Sequence, residues 1–192
     1  MKRWPLWRVL PLWLVWLLSA CSSPQKVYYQ LPVVAQSSGL SVASAEGRQL
    51  WVAPVTLADS LAGNGILFQT SAVRYTIATN NLWASPLDQQ LQQALVASLR
   101  NGLPGWHVAT TGVASAAALR LQVNVTAFQG RFDGNAVIRG EWVLQGSKRI
   151  VTQPFSIDVP QTEDGYDALV SALGKGWQQV AEQVSQRLLT GA

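Results

Sequence analysis

Between Leu119 and Val159 the chain repeats one pattern three times, and that pattern leaves few folds open. Leu119, Leu121, Val123, Val125 and Ala127 alternate with Arg120, Gln122, Asn124 and Thr126, the period of a strand with one face buried and the other in water. Ala136 to Leu144 and Arg149 to Val159 continue it, with Gly146-Ser147 between them. Three such strands in succession predict an antiparallel meander. A sheet with one apolar face needs cover, and two helical stripes can supply it. Leu87, Leu91, Ala94, Leu95 and Leu99 share one helix face. Ser85 is placed to cap that helix, Pro86 stands at its first position, Asp88 lies in its first turn and Asn101-Gly102 ends it. A second helix is expected from about Tyr166 to Leu189, with Tyr166, Leu169, Val170, Leu173, Trp177, Val180, Ala181, Val184 and Leu188 on its stripe. Gly174 and Gly176 weaken its middle by up to about 1 kcal/mol each relative to Ala, so packing must override them or a kink forms. The fold class that follows is α+β: a single domain, mainly antiparallel sheet, with two amphipathic helices packed on one face.

The first half of the chain is less regular. Tyr28 to Pro32 reads as a brief strand stopped by proline, Ala35 to Gly47 as a loop, Gln49 to Val55 as a strand, and Trp106 to Thr110 as a short one. Leu61-Ala62-Gly63-Asn64-Gly65 is turn chemistry feeding Ile66 to Thr70 and Val73 to Ala78, close enough to pair as a hairpin.

The N-terminus is an address. Met1 to Arg8 carries Lys2, Arg3 and Arg8 without an acid, Val9 to Leu18 is apolar apart from Pro11, and small residues lead into Cys21, the order of a signal peptide. Ten helical residues span roughly 15 Å, short of a hydrocarbon core of about 30 Å. Leu18-Ser19-Ala20-Cys21 resembles the bacterial lipobox, which implies cleavage before Cys21 and acylation there. Residues 1–20 are then a signal peptide, 21–26 a lipidated tether and 27–192 the folded domain. Ser22, where an Asp would favour retention in the inner membrane, points to the periplasmic face of the outer membrane. Acylation with two or more chains anchors firmly, whereas one chain binds marginally. The alternative is an ordinary signal or an uncleaved anchor, for which Trp4, Trp7, Trp13 and Trp16 are the motive.

Three of the 14 basic residues precede Cys21, which leaves 11 against 10 acids in the mature chain. No basic run remains to neutralise phosphates, so a nucleic-acid partner is not expected. Cys21 is the only cysteine, so the domain is held by burial rather than by a disulfide. Nor is a catalytic constellation evident. His107 is the sole histidine and reads as structural, without a neighbouring acid to orient it. Glu163, Asp164 and Asp167 read as helix-start acids ahead of a weak calcium site. No catalytic residue, metal site or cofactor is assigned.

Several short motifs in fixed order carry a family resemblance. After the lipobox come Tyr28-Tyr29-Gln30-Leu31-Pro32, Leu61-Ala62-Gly63-Asn64-Gly65, Asn80-Asn81-Leu82-Trp83-Ala84-Ser85-Pro86-Leu87-Asp88-Gln89-Gln90-Leu91, Leu103-Pro104-Gly105-Trp106, Gly140-Glu141-Trp142 and Asp164-Gly165-Tyr166-Asp167. Together they resemble the ABC-type transport auxiliary lipoproteins over nearly the whole mature chain. The Trp-rich signal and the Ala35 to Gly47 loop depart from the family pattern. The resemblance implies an envelope component without enzymatic activity of its own. It implies work with PqiB, a tunnel-forming MCE-domain protein anchored in the inner membrane, and indirectly with the integral membrane protein PqiA, in moving lipid between membranes and supporting membrane integrity.

Docking of that tunnel at the outer membrane is the leading functional reading. Binding of a phospholipid or acyl chain by the domain itself is the alternative, and a hydrolase using His107 a third. The expected partner or oligomer surface lies on Gly63 to Trp83. Phe68, Tyr75 and Trp83 cluster there with Asn80 and Asn81 as a polar rim, and the partner is PqiB or a ring of identical copies. The competing reading packs this hairpin into the core, with Trp83 as a staple before the first helix.

Overall fold

The computed structural model describes residues 25–33, 48–111, 118–147 and 149–191. The expected signal peptide, Cys21 and the loop expected at Ala35 to Gly47 lie outside the described residues. Along the chain run β1 (Val27–Tyr29), β2 (Gln49–Val52), β3 (Thr56–Leu57), β4 (Gly65–Ser71), β5 (Arg74–Trp83), α1 (Leu87–Gly102), β6 (His107–Ala109), β7 (Leu119–Arg131), β8 (Asn135–Gln145), β9 (Ile150–Pro160) and α2 (Tyr166–Leu189).

The meander is present. β7 pairs antiparallel with β8 from Arg120 opposite Gln145 to Gly130 opposite Ala136, and β8 pairs with β9 from Asn135 opposite Pro160 to Gln145 opposite Ile150. β4 and β5 form the expected hairpin, with β5 extending five residues past Ala78 to Trp83. These three antiparallel pairings are the long ones. The other five are parallel and short: β2, β3 and β4 run in turn along the second edge of β7, β6 joins β2, and β1 joins β5. The sheet is therefore mixed at its N-terminal side, because the chain from Gln49 to Ser71 travels in the direction of β7 and pairs with it three times. Among the described residues β9 pairs only with β8, and Pro154 and Pro160 share the parity whose N–H would face the open edge. That placement removes donors from the edge and blunts it against strand addition.

Strict alternation in β7 ends at an irregularity between Val125 and Ala127. Leu121, Val123 and Val125 face the core as expected, but beyond the irregularity Phe128 is the buried residue and Ala127 only half-buried. One extra residue in a strand reverses the parity of all that follow.

Both helices cover the same sheet face. α2 lies over β7, β8 and β9, with α1 beside it and against β6. The predicted stripes are buried except at Tyr166, which is half-buried at the start of α2. Trp177 on α2 is the hub: its indole meets Phe128 and Phe155 edge-on at 6.2 and 6.3 Å, and Nε1 donates to the Leu91 carbonyl of α1 at 2.9 Å. Gly174 and Gly176 are explained by close approach. A Cβ on Gly174 would sit 2.6 Å from Pro32 Cγ, and one on Gly176 would meet Ile138 and Val159. The missing side chains let α2 settle on the sheet and on the segment after β1.

Both helix starts differ from expectation. Pro86 flanks α1 with extended backbone, so Ser85 stands one residue too early and its hydroxyl caps nothing. Instead Gln90, inside the apolar stripe and 2 % exposed, takes over. Its Nε2 donates to the Ser85 carbonyl at 2.8 Å and its Oε1 accepts the Leu31 N–H at 2.9 Å, tying the β1 segment to α1. At α2, Gly165 is the flanking residue with φ of 109° and no side chain caps. Of the three acids, Asp167 lies in the first turn, where the helix dipole favours it.

Candidate functional site

The hairpin β4–β5 was the expected interaction surface, and the structure divides its three named residues. Trp83 is corrected to the core. It is 4 % exposed, its ring lies 6.1 Å from that of Phe128, and its N–H donates to the Asn64 carbonyl at 2.7 Å. The reason is register: Trp83 ends β5 where β1 flanks it, beneath the start of α1. Phe68 is half-buried opposite Gly130, whose absent side chain makes room for the ring. Tyr75 alone stands out, 53 % exposed. Asn81 is half-buried, and its Oδ1 accepts a hydrogen bond from the Tyr29 hydroxyl at 3.2 Å. Burial raises the pKa of that hydroxyl, with Asp167 and Tyr166 adding to the effect. The Tyr29 ring also lies 6.1 Å from that of Tyr166, so β1 is held to β5 by the hydrogen bond and to α2 by the ring contact.

What the hairpin does form is one end of the sheet. β4 ends beside the end of β7, with Phe68 opposite Gly130 and Gln69 opposite Arg131. The β4–β5 turn, the β7–β8 turn, the end of β9 and the start of α2 therefore meet. Between them lies an open groove of about 360 Å³, lined by Phe68, Phe132, Tyr166 and Leu169 with Gln161 and Asp164 at its margin. Arg131 closes one side. It binds Asp133 at 2.7 Å and Asp158 at 2.9 Å, while Arg139 approaches Asp158 at 3.9 Å. The hydrogen bond from the Arg131 guanidinium, opposed by desolvation and helped by the Asn135 hydrogen bonds, holds the Asp133 carboxyl at about 2, below the ordinary carboxylate range. The same hydrogen bond to Asp133 raises Arg131. These charges are spent on one another and fix the β7–β8 turn.

A second groove, about 530 Å³, runs on the solvent side between α1 and α2 past Ser98, Gly102, Ala181, Ser185 and Leu189. Small residues there let the helices approach, since a Cβ on Gly102 would come within 2.8 Å of Ser185 Oγ. The remaining named residues stay apart. His107 is exposed on the short strand β6, where its backbone N–H donates to the Arg48 carbonyl. Glu163, Asp164 and Asp167 assemble no metal-binding group among the described residues. Cys21 lies outside the described residues. The sequence reading passed over Gln90 and Phe132, although it named Val73, Tyr75 and Ile77 among the apolar residues of the hairpin. Gln90 could have been found as a polar residue in an apolar stripe, whereas Phe132 carries no signal until the strands are paired.

The comparisons with known proteins agree with this fold. The family model described as the ABC-type transport auxiliary lipoprotein component matches residues 29–185. The chain is 49 % identical over 190 residues to the intermembrane transport lipoprotein PqiC of Escherichia coli (strain K12), covering 98 % of each chain, and equally to that of Shigella flexneri. It is similar to a crystal structure of an uncharacterized protein, with a TM-score of 0.77 and 45 % identity, over 85 % of this chain and 99 % of that one. A crystal structure of a Xanthomonas campestris protein shares the fold at 19 % identity, with a TM-score of 0.67 over 86 % of this chain and 96 % of its own. With the family model spanning β1 to α2 and relatives matched end to end, the chain belongs to the ABC-type transport auxiliary lipoprotein family.

Proposed function

We propose that this protein is a non-enzymatic lipoprotein of the outer membrane, anchored on its periplasmic face through acyl chains on Cys21, that docks the outer end of the PqiB tunnel in intermembrane lipid transport. PqiA acts with it only through PqiB, and a ring of identical copies fits a docking role around a tunnel. The observation that carries the reading is the 49 % identity to intermembrane transport lipoprotein PqiC across 98 % of both chains. The interior favours docking over lipid carriage. Phe128, Trp142, Trp177, Leu95 and Leu99 fill the space between sheet and helices, each 1 % exposed or less, so the helix stripes are core packing rather than the wall of a lipid pocket.

Membrane fractionation on a density gradient tests the address. The protein should sediment with outer membrane, Cys21→Ala should leave an unlipidated product that does not, and Ser22→Asp should move it towards the inner membrane. Sedimentation of the unaltered protein with inner membrane overturns the proposal.

A further inference from the structure

The tether and the hairpin point the same way. β1 pairs parallel with β5, Val27 opposite Asn81 and Tyr29 opposite Trp83. A chain entering β1 therefore arrives from the side of β5 on which its first residues lie, the side of the β4–β5 turn. Six Cα-to-Cα steps lead from Cys21 to Val27, a reach of at most about 21 Å at about 3.6 Å per step. The six residues from Asn81 back to Tyr75 span about 20 Å at about 3.3 Å each. The acylated cysteine is thus within reach of the sheet end that carries that turn.

The same end carries apolar side chains that the fold leaves in water. Val73 at the turn is 85 % exposed, Tyr75 and Ile77 on β5 are each 53 % exposed, and Phe132 in the adjoining β7–β8 turn is 56 % exposed. Pairing of β4 with β7 sets the two turns side by side. Nothing in the electrostatics asks for an anionic surface there. Arg74 and Arg131 stand against Asp133, Asp158 and Asp164, and Arg131 is already held by two of those acids.

We infer that Val73, Tyr75, Ile77 and Phe132 form a membrane-contacting tip that enters the interfacial layer of the bilayer holding the Cys21 acyl chains. The inference rests on the acylation of Cys21 proposed above. An apolar tip with a tyrosine at its margin suits that layer, where an aromatic ring meets acyl chains and its hydroxyl stays wet. Contact with lipid at two turns, added to the tether, fixes the orientation of the domain: the sheet stands with this end towards the membrane and with the β8–β9 turn away from it. Neutral phosphatidylcholine is a sufficient partner, and added salt should not weaken the contact.

The test uses the full lipidated protein in phosphatidylcholine vesicles. Acylation consumes the thiol of Cys21, the only cysteine, so Val73→Cys, Phe132→Cys and Ile150→Cys each give one labelling site for an environment-sensitive dye. All three positions are more than half exposed, so the fold is not at stake. Ile150 pairs with Gln145 at the opposite end of β8 and serves as the distant control. Expected are a blue shift at 73 and 132, and quenching by spin-labelled lipid several-fold stronger there than at 150, unchanged in high salt. Mass spectrometry of the N-terminus is read on the same samples. Acylated, vesicle-bound protein whose label at 73 is as wet as that at 150 overturns the tip and leaves the anchor standing. An unacylated N-terminus overturns both. A blue shift that needs no vesicles and grows with protein concentration assigns the patch to a second copy and also overturns the inference.

Discussion

Two buried tryptophans should respond unequally to the same substitution. Trp177 and Trp142 are both 1 % exposed or less. Trp177 Nε1 donates to the Leu91 carbonyl at 2.9 Å, whereas Trp142 Nε1 is buried without a partner among the described residues. Trimming indole to phenyl removes roughly three heavy atoms from a packed site, at a cost of about 1–2 kcal/mol in either place. At Trp177 the change also forfeits a buried hydrogen bond worth about 1 kcal/mol net. The Leu91 carbonyl lies within α1 and keeps its helical partner, so no further penalty arises there. At Trp142 the change removes an unsatisfied donor, which returns about 1–3 kcal/mol and offsets the lost packing. Trp177→Phe should therefore cost about 2–3 kcal/mol and Trp142→Phe close to nothing. For a domain of this size the first lowers Tm by about 5–10 °C and the second by no more than about 3 °C. Urea unfolding of the chain expressed without residues 1–21, followed by circular dichroism, measures both. Equal losses at the two sites would refute the reasoning, because the difference depends only on the pairing of the two N–H groups.

The β7–β8 turn offers a pH prediction. The Asp133 carboxyl is held at about 2 by Arg131, so its stabilising contact with Arg131 is complete above the ordinary carboxylate range and lost as pH falls through about 2. Its side-chain carbon resonance should titrate there by nuclear magnetic resonance. A midpoint near 4 in the folded protein contradicts the ion pair, and Arg131→Gln should produce that midpoint. At Gly140, a Cβ would run into the backbone carbonyl of Asn124 across the strand irregularity. Gly140→Ala should cost about 1–3 kcal/mol, while Gly63→Ala, with open space around it, should leave the unfolding midpoint unchanged. Equal effects at the two glycines would show that β8 can move aside.

What was legible in the sequence was local. Period-two alternation in β7 to β9 and the helical stripes of α1 and α2 are short-range signals, and each corresponds to an element at nearly the expected bounds. The parallel lanes were not legible, because β2, β3 and β4 contribute only two or three paired residues each to β7, from segments 60 to 70 residues away in sequence. Fragments that short carry no signal of direction or neighbour. The same limit misplaced Trp83. Its aromatic character and its neighbouring asparagines look like an interface until β1 closes over it, and only then does it become core. Tyr75 and Phe132 show the converse: 57 residues apart in sequence, they share one end of the molecule because β4 lies beside β7.

The central claim, that this domain docks the PqiB tunnel, is tested most directly by purification from membranes. Cells carrying an affinity-tagged copy of the protein, solubilised in mild detergent, should yield PqiB with it in fixed proportion when Cys21 is intact. Recovery of acylated protein from the outer membrane with no PqiB, under conditions where PqiB itself is extracted, would contradict the account.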